Sequence, residues 1–171
     1  MITSSGSSRR QAAAAVNKQE VLDHIISVLK SELAALTKAA HESFSAATDP
    51  DSRAEKKYDT RTLEASYVAR GQAQRVVDLQ GAVLAFEALS AVAMPDGAAI
   101  SLGALIGLQG SDGLSHYFLG PAAGGLELTI DATEVIVITP ASPLGKKLIG
   151  ARLGSTVDLH PGVSVRVASI E

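Results

Sequence analysis

The stretch ATDPDSRAEKKYDTRTLEASY, residues 46–66, gathers side chains able to do chemistry. Asp49, Asp51 and Glu55 offer carboxylates, and Arg53, Lys56, Lys57 and Arg61 interleave with them. Two readings stand side by side: a solvated turn, or a charged tip at the end of a projecting hairpin. Glu55 also has a structural use, because Ser52 and Glu55 make an S-x-x-E capping box in which each side chain satisfies the other residue's free amide. Other reactive types are sparse. His24, His41, His116 and His160 are scattered, with no i,i+4 pairing and no nearby cluster of acids, which argues against a metal site. The chain has no Cys, so disulfides, thiolate zinc sites and a Cys nucleophile are excluded. GPAAGG at 120–125 lacks the Lys-Ser/Thr and the strand–helix setting of a phosphate cradle, and reads as a loop. Ser142-Pro143 reads first as a helix cap, and Lys146 and Lys147 as solvated cations.

The elements that would position these residues fall into two halves. From Asn17 to Ala47, Leu22, Ile26, Leu29, Leu33, Leu36 and Ala40 step by four and three along one helix face. Pro50 ends that helix by biasing Asp49 away from helical angles. A second helix is expected from Ser52, with Tyr58, Thr62, Ala65, Ala69, Gln72, Val76, Leu79, Val83 and Phe86 on its seam. Two such helices joined by a short turn run antiparallel and bury each other's stripe. With ~1.5 Å of rise per residue, the turn should stand roughly 45–50 Å from the base, as a rod. After AMPDG the period changes. Residues 99–108, 115–119, 133–138, 155–159 and 163–169 read as short strands, with a short helix in SPLGKKLIG that starts at Ser142-Pro143 and ends at Gly150. The expected fold class is α+β: a leader over 1–16, a helical hairpin over 17–90 with its tip near 48–57, and a small, mainly antiparallel sheet domain with one short helix over 95–171.

Composition narrows the function classes. At 171 residues the chain holds one ordinary domain, or a small domain plus an extended helical element. Apolar content of 46% excludes wholesale disorder, and no apolar run approaches the ~18 residues that span a bilayer. With three Phe, three Tyr and no Trp, the core must be built from Ala, Val, Leu and Ile. A net charge of −3 leaves no footprint for sequence-specific binding to duplex DNA. The leader has two Arg but no apolar core of signal-peptide length, so a cytoplasmic location is expected.

SPLGKKLIGARLGSTVDL, residues 142–159, together with the two-part periodicity, resembles the Gre family of bacterial transcript-cleavage factors. Asp51, Tyr58 and Tyr67 also fit the spacing of acid and aromatics around that family's hairpin turn. The resemblance implies an N-terminal antiparallel coiled-coil hairpin and an FK506-binding-protein-like sheet domain. It implies a partner too, RNA polymerase, with the sheet domain gripping the rim of the secondary channel and the hairpin reaching the active site. There two tip carboxylates help hold a magnesium ion that serves cleavage of the backtracked RNA 3′ end. A hard Mg²⁺ ion accepts oxygen ligands, and one or two carboxylates suffice when phosphates supply the rest. The factor itself is then no enzyme and carries no cofactor in isolation.

Carried over residue by residue, Asp51 stands where the first tip acid belongs. Ala54 takes the place of the second, with Glu55 one position on and Asp49 as a spare acid. One helical step rotates a side chain by about 100°, so convergence of Glu55 with Asp51 does not follow from sequence. Ser142, Pro143, Lys146 and Lys147 become the expected polymerase contacts, although Ala141 occupies a place that is often polar in the family. Three alternatives remain: a non-cleaving polymerase regulator, a coiled-coil adaptor indifferent to loss of 48–57, and a peptidyl-prolyl isomerase. Tyr117 and Phe118 are the only aromatics after residue 95 and point to opposite faces of a strand, which disfavours the isomerase.

Overall fold

The computed structural model describes residues 16–48 and 60–171. Two long helices come first, α1 over Lys18–Thr48 and α2 over Thr60–Glu87. Asn17 caps α1: its side-chain oxygen accepts the Gln19 amide at 2.8 Å, and its carbonyl accepts the first helical bond, from Val21, at 3.0 Å. The helices pack on each other and run antiparallel. Glu32 meets Arg75 at 3.0 Å and Lys30 meets Glu87 at 2.7 Å, both exposed pairs of small energetic weight.

Burial follows the predicted seams, except at Ala69, which is exposed. In α1, Leu33, Leu36 and Ala40 are half-buried while their neighbours are exposed; in α2, Gln72, Val76 and Leu79 are half-buried and Val83 and Phe86 buried. At the foot α1 carries a second apolar stripe, Val21 and Ile25, both fully buried in the core that the helices share with the sheet. That stripe ends quickly. From Lys30 to Glu42 in α1, and from Val68 to Ala82 in α2, no residue is buried. The hairpin is therefore anchored at its foot and leaves the globule beyond it. The expected start of α2 at Ser52, the turn at Asp49–Pro50 and the seam position Tyr58 lie outside the described residues.

The second half is a six-stranded sheet: β1 Leu105–Gly110, β2 Gly113–Leu119, β3 Glu127–Ile130, β4 Thr133–Ile138, β5 Thr156–His160 and β6 Val163–Ile170. Between β4 and β5 lies the short helix α3, Pro143–Leu148. Strand order is β3-β4-β2-β1-β6-β5. The sheet is mainly antiparallel, as expected, and becomes mixed at one place, where β4 pairs with β2 in parallel, His116 opposite Val135 through Leu119 opposite Ile138. The cause is β3, a strand that the sequence pattern does not predict. β3 turns back on β4 through Asp131 and Ala132, both at positive φ (47° and 63°) as a two-residue hairpin turn requires. It occupies the edge, and β4 inserts between it and β2. The other revision is at residues 99–104, where Ser101–Ala104 form a turn with Gly103 at φ 86°, so that pairing begins only at Leu105.

Strand alternation divides the apolar side chains between two cores. Leu105, Phe118, Val135 and Val137 face the hairpin foot. Ile106, Leu119, Val167 and the α3 residue Leu148 make the opposite core. Phe86 of α2 is the deepest anchor of the foot. It is fully buried, its ring centroid lies 6.2 Å from that of Phe118, and a Cβ at Gly120 would come within 2.6 Å of it. The glycine that opens GPAAGG is thus a seat for Phe86, and the segment is a loop as expected.

Candidate partner-binding site

Asp49, Asp51 and Glu55, the expected tip acids, lie outside the described residues. What the fold does establish is where the flanking helices begin and end. Thr48 closes α1 and Thr60 opens the described part of α2, both at the end of the hairpin opposite the sheet. Among the described residues no group of His, Asp or Glu is arranged to hold a metal ion.

The second expected site, on α3, is fully visible. Ser142 is the N-cap: its hydroxyl donates to the Thr139 carbonyl at 2.7 Å and accepts the Gly145 amide at 3.0 Å. Pro143 follows at the first helical position, where its missing N–H costs nothing. Gly145 is required by space, since a Cβ there would meet the Thr139 carbonyl oxygen at 2.0 Å. Leu148 plugs the core beneath, and Gly150 ends the segment at φ 82°. This short piece is consequently a rigid projection held by a cap, a glycine contact and one buried leucine.

The expected contact residues divide by what the fold already asks of them. Ser142 is committed to the cap. Lys147 donates from Nζ to the carbonyls of Asp158 and Leu159, each at 2.7 Å, and so covers acceptors on the edge strand β5. Pro143 and Lys146 are exposed and free to face a partner. Sequence reasoning missed the two large apolar residues beside them, Ile149 at 46% and Leu153 at 60% exposure. They sit in the charged link after α3, where nothing in the pattern separates an outward-facing isoleucine from the buried Leu148 next to it. Pro143, Lys146 and Ile149 recur at every third position along α3 and its cap and are all exposed, next to the exposed cations Lys147 and Arg152. Leu153 lies against Gln109, Arg166 and Ala168. Exposed apolar groups among cations have the composition of a docking surface rather than a catalytic centre.

Elsewhere the surface offers little chemistry. A surface cavity of ≈ 300 Å³ is lined by Ser115, His116, Tyr117, Thr133 and Glu134 among others. Burial pushes the His116 imidazole below its ordinary value of 6.5, and Glu171 pulls it partly back. Phe118 is buried against Phe86 on the hairpin side of the sheet, whereas Tyr117 packs on the other, so the two aromatics share no pocket. No helix among the described residues is long and apolar enough to cross a membrane.

No protein family matches the chain by its family model, and no curated protein matches it. Among solved structures, the GreA factor homolog 1 (Gfh1) protein of Thermus thermophilus matches at 23% identity over 89% of this chain and 93% of that one, with a TM-score of 0.35. Gfh1 of Thermus aquaticus matches at 20% identity over 91% and 94%, with a TM-score of 0.35. A further structure of the transcription factor Gfh1 matches at 21% identity over 91% and 94%, with a TM-score of 0.36. At these values the likeness assigns the chain to no family.

Proposed function

We propose that this chain is a Gre-like elongation factor that docks on bacterial RNA polymerase and inserts its hairpin into the secondary channel. The observation that carries this reading is the hairpin, packed on the sheet only at its foot and bare of further covering beyond Leu29 and Val83. A two-helix rod of this kind is slender enough for a pore, and the sequence between its two helices contains Asp49, Asp51 and Glu55. The resemblance of residues 142–159 to the family's sheet domain supports the same partner.

In this account the sheet domain binds and the arm acts. Pro143, Lys146, Ile149 and Leu153 meet the polymerase, with Ser142 and Lys147 holding the shape of that surface. Asp51, helped by Glu55 or Asp49, lends carboxylate oxygens to magnesium in the polymerase active site, where the metal activates water for cleavage of backtracked RNA. The polymerase remains the enzyme. Ala54 at the family's second acid position favours one other reading, a factor that occupies the channel and modulates the active site without stimulating cleavage.

Two measurements test the pair. The purified protein should associate with RNA polymerase at micromolar concentration; absence of association ends the proposal. In stalled, backtracked complexes Asp51→Asn should slow stimulated cleavage by roughly tenfold or more, equivalent to about 1.4 kcal/mol of lost transition-state stabilisation. An unchanged rate would remove Asp51 from the chemistry and leave the modulator.

A further inference from the structure

Lys18 is the one buried charged residue among the described residues, at 6% exposure. Lysines are almost never buried without a partner, and burial here pushes the amine below its ordinary value of 10.5, with Glu171 acting in the opposite direction. Its Nζ donates to the carbonyl of Val92 at 2.9 Å, across 74 residues of sequence. Glu171 is itself fixed at the end of β6 by reciprocal backbone bonds with Leu105, each 2.9 Å. One ammonium group therefore ties the first residue of α1 to the segment that leaves α2, and faces the charge of Glu171, at the end of the sheet, across a shared cavity.

Stability is a poor explanation for it. Removing an ion from water costs several kcal/mol, and a well-packed apolar replacement is often neutral or stabilising. Orientation is a better one. The rest of the foot is held by Val21, Ile25 and Phe86, and apolar burial has no direction of its own. Beside Lys18 the packing opens into a surface cavity of ≈ 330 Å³ lined also by Val16, Asn17, Ala91, Ala93 and Glu171, so apolar contact does not fix the foot on that side. A hydrogen bond, in contrast, weakens steeply with angle. The lever is long: α1 runs about 45 Å from Lys18 to Thr48, so a tilt of about 10° moves its far end by about 8 Å.

We propose that Lys18 is a positioning residue which, through the Val92 carbonyl and Glu171, fixes the angle of the hairpin to the sheet and so aims its tip. The proposal rests on the polymerase reading for its purpose, not for its geometry. Because the chain has no Cys, His41→Cys and Ala168→Cys give a clean spin-label pair on the hairpin and on β6. With Lys18 the distance distribution should be single and narrow. Lys18→Met should shift or broaden it by about 6 Å, the displacement that a tilt of about 10° gives at about 35 Å from Lys18. The thermal midpoint should hold or rise, since water reaches the exposed Val92 and the half-buried Glu171 once the amine is gone. Glu171→Gln should broaden the distribution in the same direction and is decisive if Lys18→Met fails to fold.

On polymerase, Lys18→Met should keep the half-saturating concentration of the unaltered chain and lose most of its maximal effect. A purely structural role predicts the reverse, a lowered midpoint with the distance unchanged, and an unaltered distribution in the folded variants overturns the proposal. Failure of the unaltered chain to bind polymerase would sink the functional reading while the spin-label result still decides the tether.

Discussion

Gly145 is held by a single close approach, to the Thr139 carbonyl oxygen, and with Ser142 it sets the pose of α3. Gly145→Ala must move backbone, which is costlier than moving a flexible side-chain end. A loss of about 1–3 kcal/mol is expected, measured by denaturant unfolding, together with weaker polymerase binding. The cap at Ser142 was legible because Ser-Pro before a short apolar run has one local meaning. Lys147 and Lys18 were not legible. Their roles depend on carbonyls 11, 12 and 74 residues away, and no local pattern tells a solvated lysine from one that a distant backbone captures.

Among the elements, the two helices were readable because their four-and-three spacing is a property of each helix alone, and burial follows it at every described seam position except Ala69, which is exposed. Less visible was the foot, where α1 turns Val21 and Ile25 to the sheet while Leu22 and Leu29 also enter the core. Phe86 joins that foot to Phe118 and to the space left by Gly120. Phe86→Ala should cost about 3–5 kcal/mol in thermal or denaturant unfolding. If it proved near neutral, the hairpin and the sheet would not share a core. Strand β3 escaped sequence reading because it has only four residues, ELTI, beginning on an acid. Its absence from the expected plan is also why the parallel β2–β4 pairing was not foreseen.

At the scale of the whole molecule, the shared core makes hairpin and sheet domain one mechanical object, although their sequence periods divide cleanly after Glu87. One end is a broad sheet with an exposed apolar and cationic patch at α3; the other is a pair of bare helices leading to three acids. Under the proposed function, affinity would belong to the surface around α3 and effect to the acids between the helices. The most direct test places a photo-crosslinking amino acid at Asp51 in the complex with RNA polymerase and maps the adducts. The account predicts crosslinks to polymerase segments around the catalytic metal and to the RNA 3′ end. Crosslinks confined to the outer surface of the polymerase would contradict it.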